Sequence, residues 1–232
     1  MEIKRLDWDS EFFNLKVGEI NYDKNLQGQN SADYDLIYIL SNEDFQLNLD
    51  CFENSFSETK VNFIKTLEAN GDASKFIFEF DKVAIDKQQL YLLAYESGKN
   101  SRFLLDTKFD ENHFKKLYQT WIDNSINKKF ADGVLVYFEE NILKGFVTYK
   151  TNNVTASVGL IAVDNNYQGK GIGAKLLQNL ENLLYQKKIT QLTIPTQLTN
   201  IQACSFYTKQ GYSIKDKTFI KHYWKNKYLP NI

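Results

Sequence analysis

The chain is poor in cysteine, proline, arginine and histidine. Its 232 residues include two cysteines, two prolines and two histidines. Cys51 and Cys204 cannot build a disulfide framework, and with two histidines they form no zinc site by spacing, so no metal is expected. Such sparse cysteine suits a reducing compartment, and a cytoplasmic location is expected. Only two of the 28 cations are arginines, Arg5 and Arg102, and they are offset by 29 acids to a net charge of −1. That balance lacks the positive field of a general nucleic-acid binder. No run approaches the ~18 apolar residues of a membrane span. The opening Met-Glu-Ile-Lys-Arg-Leu-Asp-Trp has no apolar signal core, so neither nucleic acid nor membrane is an expected partner.

What is present is the balance of a folded protein: 43% hydrophobic and 25% charged residues. The length suits one large domain or two small ones. Leu36–Leu40, Val61–Thr66, Phe76–Phe80 and Leu90–Tyr95 are apolar runs of strand length. Phe45, Leu49, Phe52 and Phe56 recur at helical spacing and suggest an amphipathic helix between strands. A loop at Gly98-Lys99-Asn100 marks a boundary, giving an N-terminal α/β portion over 1–98 and a second domain over 99–232. In the second part Asp110 can cap a helix whose face carries Phe114, Leu117, Trp121 and Ile122. A hairpin across Glu139-Glu140-Asn141 and a strand from about Val154 to Val163 follow. Then come a leucine-striped helix over 173–187, a strand at Ile189–Ile194, a helix from Asn200, and one or two terminal strands over 212–224. The whole reads as a mixed α/β sheet protein.

Six of the eleven glycines fall between Gly133 and Gly173. Three of them form Gln168-Gly169-Lys170-Gly171-Ile172-Gly173, which runs from the strand into the striped helix. Glycines allow positive φ and close approach of an anion, and a helix N-terminus presents free N–H groups, so the turn suits a pyrophosphate. The spacing matches neither the dinucleotide fingerprint nor a Walker loop.

The Gln-Gly-Lys-Gly-Ile-Gly segment behind its Ile-Ala-Val strand resembles the acyl-CoA signature of the GNAT superfamily of N-acetyltransferases. Asn200 through Phe206-Tyr207 to Gly211-Tyr212 is similar to that family's second signature. Leu6–Phe13 and segments between Ser101 and Val163 resemble the TDP-fucosamine acetyltransferase branch. The resemblance implies a GNAT acyl-CoA fold with acetyl-CoA as co-substrate. It also implies transfer to a primary amine, the 4-amino group of a TDP-linked amino-dideoxy sugar. Other amines, such as a protein N-terminus or an aminoglycoside, and a non-catalytic CoA-binding module are the alternatives. Partners would be the small-molecule acceptor and, as one open assembly, a homodimer.

The resemblance also assigns roles. Leu160, Ile161, Ala162 and Val163 are expected along the pantetheine. Gln168, Gly169, Lys170, Gly171, Ile172 and Gly173 would hold the pyrophosphate, with Asn200 bonding the cofactor. Tyr207 occupies the general-acid position, although a tyrosine on an apolar helix also packs. Asp9, Glu11, Arg102 and Trp121 are acceptor-site candidates. Trp8, Phe12 and Phe13 equally suit anchoring of the N-terminus, and no general base stands out. Cys204 and Cys51 read as small buried hydrophobes. His113 and His222 read as surface or structural residues.

Overall fold

A computed structural model describes residues 2–23, 31–69 and 74–226. The N-terminal part runs β1 (Lys4–Arg5), α1 (Asp7–Phe13), β2 (Val17–Asn21), β3 (Leu36–Ser41), β4 (Phe52–Thr66), β5 (Ile77–Glu79) and α2 (Lys87–Gly98). It is followed by α3 (Arg102–Leu105), α4 (Glu111–Ile126), β6 (Gly133–Glu139), β7 (Ile142–Asn152) and β8 (Thr155–Val163). The last elements are α5 (Ile172–Gln186), β9 (Gln191–Gln197), α6 (Ile201–Lys209) and β10 (Ser213–Lys225). All the strands join one mixed sheet in the order β1-β2-β3-β10-β4-β9-β8-β7-β6-β5.

Alternation along the strands builds two cores. Val134 and Val136 of β6 pack with Leu90, Leu93, Leu117 and Ile122 of α2 and α4. Leu135 and Tyr137 turn to the opposite face and pack with Leu176, Leu177, Leu180 and Leu184 of α5. Helices therefore cover both faces. Asp110 caps α4, its carboxylate accepting from Asn112 N at 2.7 Å. The β6–β7 turn places Glu140 and Asn141 at φ 55° and 61°, as a two-residue hairpin turn requires.

Two local expectations are corrected. Residues 45–56 form no helix. Phe45 and Leu49 are buried against β2 and β3 from an irregular segment, while Phe52, buried in the same cluster, opens β4, which also contains Phe56. The fifteen-residue β4 pairs with β9 on one side and β10 on the other, and this long-range pairing overrides the helical spacing. Conversely, Leu90–Tyr95 is helical. Asp86 caps α2 by accepting from Gln88 N, and the run buries Leu90, Leu93 and Ala94 while leaving Leu92 64% exposed. A short apolar run fits either period until its partners are known. The terminal segment is one strand, β10, bulged between Ile214 and Asp216 and between His222 and Tyr223. It lies between β3 and β4, so it pairs only with strands from the first third of the chain.

The short helix α3 is held to the sheet by one buried carboxylate. Asp106 accepts from His222 Nδ1 at 2.7 Å, Trp224 Nε1 at 3.0 Å and Ser55 Oγ at 3.1 Å. Burial opposes ionisation of Asp106, but the bonds from His222 and Trp224 outweigh it and hold the carboxyl below its ordinary range. Burial drives the His222 imidazole down to about 4, against the pull of Asp106. An exposed histidine titrates at about 6.5. Between those values the unfolded chain binds a proton that the folded chain refuses, so stability falls as the pH drops through this window. The lowered Asp106 pKa adds loss in the same direction at still lower pH. Urea unfolding is expected to show a loss of roughly 3 kcal/mol from His222 between about pH 7 and pH 4. A His222→Gln chain is expected to be less stable near pH 7 and to lose less across the window. Equal pH slopes for the two chains would contradict this account.

Candidate active site

The parallel strands β8 and β9 pair only over Thr155–Ser157 and Gln191–Thr193. Beyond that they part, and a cleft of about 630 Å³ opens between Val158–Val163 on one side and Ile194–Gln197 on the other. Leu160 N donates to Thr148 Oγ1 at 2.9 Å and Asp164 N to Lys144 O at 2.9 Å, both on the β7 side. Alternation then turns the backbone N–H and C=O of Ile161 and Val163 toward the gap. On β9, Leu198 N donates to Thr59 O and Thr190 O accepts from Leu67 N. Even-numbered residues therefore face β4, and the missing N–H of Pro195 falls on the gap side, where it leaves no orphan donor. At Gly159 the constraint comes from the irregular β7–β8 pairing, because a Cβ there would lie 2.8 Å from Thr148 Oγ1.

One end of the cleft is the glycine turn. Asp164 accepts from Asn166 N at 2.8 Å and starts a 3₁₀ turn over Asn165–Tyr167. Gln168 Nε2 then donates to Val163 O at 3.1 Å and to Asn165 Oδ1 at 2.8 Å, fixing the turn to the end of β8. Gly169 and Gly171 have φ of 75° and 77°, and a Cβ at either would meet nothing within 4 Å. Gly171 is the N-cap of α5 and brings no side chain to the free N–H groups of the first turn. At Gly173 the constraint is packing, since a Cβ would sit 3.1 Å from the Phe206 ring. Lys170 does not line the cleft; its Nζ donates to Asn166 O at 3.1 Å and lies 4.9 Å from the Tyr167 ring.

Helix α6 forms the adjoining wall. Asn200 Oδ1 accepts from Ala203 N at 3.2 Å, so the side chain caps the helix while also lining the cleft. Tyr207 lines the cleft and is 4% exposed, packed on Phe63, Phe206 and Tyr212. Burial pushes its phenol pKa well up, so the hydroxyl stays protonated. Burial also raises the Cys204 thiol, which leaves little thiolate for nucleophilic work.

The other end opens on the α2–α4 face. Arg102, Phe103, Tyr118 and Trp121 line it, with Glu58 and Lys60 from β4. The Arg102 guanidinium stacks over the Tyr38 ring at 4.3 Å, and Trp121 packs on Tyr118 at 5.0 Å. Asp9 and Glu11 of α1 do not line the cleft. The Asp9 carboxyl lies beside Tyr38 and Arg102; burial raises its pKa and Arg102 opposes the rise. Glu11 is exposed. The structure thus brings together Leu160–Val163, Gln168, Gly169, Gly171–Gly173, Asn200, Tyr207, Arg102 and Trp121, and leaves Lys170, Asp9 and Glu11 outside the lining. Sequence reasoning missed Glu58 and Tyr118. The available signal for Glu58 was a carboxylate in phase with Phe56 on a strand that alternates.

Comparison with known proteins gives the family. The acetyltransferase (GNAT) family matches residues 74–212, well over half of the chain, and the chain belongs to that family, whose enzymes use acetyl-CoA. It is 25% identical to the spore coat polysaccharide biosynthesis protein SpsD of Bacillus subtilis (strain 168) over 142 residues, covering 61% of this chain and 49% of that protein. It is 28% identical to the dTDP-fucosamine acetyltransferase of Escherichia coli O6:H1 over 106 residues, 45% of each chain. It is 29% identical to the streptothricin acetyltransferase A of Bacillus subtilis (strain 168) over 110 residues, 47% of this chain and 64% of that one. The chain spans about half the length of the first two relatives.

Proposed function

We propose that the chain transfers the acetyl group of acetyl-CoA directly to a primary amine, and that this is the 4-amino group of a TDP-linked amino-dideoxy sugar. One observation carries the transfer: a single cleft runs through the parted sheet from the glycine turn to a wall of aromatic and charged side chains. The open space over Gly169 and Gly171 and the free N–H groups of α5 suit a pyrophosphate. The gap-facing backbone of Ile161 and Val163 suits the pantetheine amides and a polarised thioester carbonyl. Tyr207 is assigned the proton that the leaving thiolate takes up. At the far end Trp121 and Tyr118 offer flat apolar faces to a ring, and Arg102 offers a cation to a nucleotide phosphate. The elements before residue 99 contribute to that acceptor end through β4, while the glycine turn and α6 belong to the second portion.

The name of the dTDP-fucosamine relative supports the sugar, and the name of the streptothricin relative supports a different amine. A thiol-release assay offering a TDP-4-amino-4,6-dideoxyhexose, streptothricin, an aminoglycoside and a peptide decides between them. The nucleotide sugar is expected to be turned over with the highest kcat/KM. Preference for streptothricin or the peptide would reject the sugar and keep the transfer.

Gly171→Val introduces a β-branched residue at φ 77° in the space assigned to the pyrophosphate. Calorimetry is expected to show strongly weakened acetyl-CoA binding with folding retained, and unchanged affinity would remove the phosphate assignment. Tyr207→Phe keeps the ring packing and removes only the hydroxyl. A fall in kcat of about 10²-fold is expected with acetyl-CoA affinity unchanged, since the hydroxyl matters as charge builds on sulfur. The raised pKa places ionisation of Tyr207 above the range of an ordinary pH–rate profile, so its loss leaves the alkaline limb in place. Wild-type kcat in this variant, with chemistry rate-limiting, would return Tyr207 to a packing role.

A further inference from the structure

An amine meets the enzyme near neutral pH as an ammonium ion and attacks only after losing a proton. Among the described residues the carboxylates lining the cleft are Glu58 and Glu96. No acid lies on β8, whose sequence is Thr-Ala-Ser-Val-Gly-Leu-Ile-Ala-Val. Glu96 is already engaged, accepting from Asn165 Nδ2 at 2.9 Å and facing Lys99 Nζ at 3.8 Å. Glu58 is different. Its Oε2 is buried and has no hydrogen-bond partner.

Leaving a buried carboxylate oxygen unpaired costs free energy, so its survival in a cleft wall marks a position that a ligand donor completes. Two further buried polar atoms without a partner, Tyr38 Oη and His222 Nε2, lie on the neighbouring strands. Tyr38 opposes His222 in the β3–β10 register, and Ile220, two residues before His222, opposes Glu58 in the β10–β4 register. Asp9 lies beside Tyr38, although Tyr38 Oη makes no bond of normal geometry. Of the three, only Glu58 lines the cleft. The aromatic side chains of Phe103, Tyr118 and Trp121 line the same end.

We propose that Glu58 is the catalytic residue that receives the acceptor ammonium and takes its proton. The ammonium N–H donates to the Glu58 carboxylate, and the proton passes to it. The freed nitrogen lone pair attacks the thioester carbonyl carbon, so that a C–N bond forms and the C–S bond breaks. Sulfur leaves with the bonding pair and takes a proton from Tyr207; the acylated nitrogen releases its second proton, which restores Tyr207 through solvent, and Glu58 returns the first to solvent. Burial raises the Glu58 pKa, while Arg102 from α3 and Lys60 from its own strand lower it; the net effect is upward, toward the range in which a general base works near neutral pH. Tyr118 from α4 and His222 from β10, with the Asp106 carboxylate behind it, complete the titratable surroundings.

This inference rests on the acetyl-transfer reading, and the test separates the two. Wild-type chain, Glu58→Gln and Glu58→Asp are assayed with acetyl-CoA and the TDP-4-amino-4,6-dideoxyhexose from about pH 6 to pH 9.5, with streptothricin as a second amine. Glu58→Gln keeps the size and removes the base. Its kcat/KM for the amine is expected to fall by at least about 10²-fold near neutral pH. Its rate is expected to climb with pH as free amine forms in solution, while acetyl-CoA affinity stays within about twofold by calorimetry. Glu58→Asp is expected to regain part of the rate and the wild-type shape of the acidic limb. A Glu58→Gln chain with wild-type kcat/KM and pH profile overturns the proposal. So does a loss of acetyl-CoA binding or folding that tracks the loss of rate in both variants, since that marks a structural role. A wild-type chain that binds acetyl-CoA yet acetylates neither amine instead counts against the transfer reading, and this inference falls with it.

Discussion

The parting of β8 and β9 is the constraint on which the rest of the structure depends. A parallel pair that separates after three residues leaves backbone groups without ladder partners, and such groups are costly to bury. The chain limits the damage residue by residue. Pro195 carries no donor on the gap side, and Gln168 Nε2 caps the carbonyl of Val163. What remains open is the backbone of Ile161 and the N–H of Val163, and this is the part a bound amide-rich chain can complete.

A sheet split in its middle must be held from both sides. On the α5–α6 face Lys65 Nζ bonds Glu181 Oε2 at 2.8 Å and Gln210 O at 3.0 Å, and Tyr212 Oη bonds Glu181 Oε1 at 2.7 Å. That cluster ties β4 to α5 and to the end of α6, behind Tyr207. On the opposite face Asp106 gathers His222, Trp224 and Ser55, and so sets α3 and Arg102 against β10 and β4. The long strand β4 is common to both clusters. It brings Glu58 and Lys60 to one end of the cleft while its other residues complete the β9 edge.

The two ends of the cleft differ in how they are encoded. The glycine turn is local: Asp164 starts it, Gln168 fastens it, two left-handed glycines shape it, and α5 begins at once. The end opposite the glycine turn is assembled from α3, α4 and β4, with Arg102 and Glu58 separated by 44 residues of sequence. Its electrostatics come from burial and long-range neighbours, which no short motif records.

Sequence alone determined the elements whose period and punctuation agree. Helix α4 has its Asp110 cap and buried stripe, α5 has its leucines, and the β6–β7 hairpin and the turn from Gln168 to Gly173 lie where the pattern puts them. The GNAT family was legible in the same segments because its cofactor signature is a local backbone conformation, and glycine is its chemical requirement. Tertiary structure decided the rest. Residues 45–56 carry a helical spacing of apolar residues, yet β4 extends because β9 and β10 offer it two hydrogen-bonding edges. Leu90–Tyr95 carries a strand-length apolar run, yet it is helical because Asp86 caps it and its partners lie at 3.6-residue spacing. Glu58, whose phase with Phe56 is only a faint signal, and the Asp106–His222 pair escape a reading of the sequence for the same reason. Their significance is a matter of which groups meet across adjacent strands, and strand order is a property of the folded sheet rather than of any segment within it.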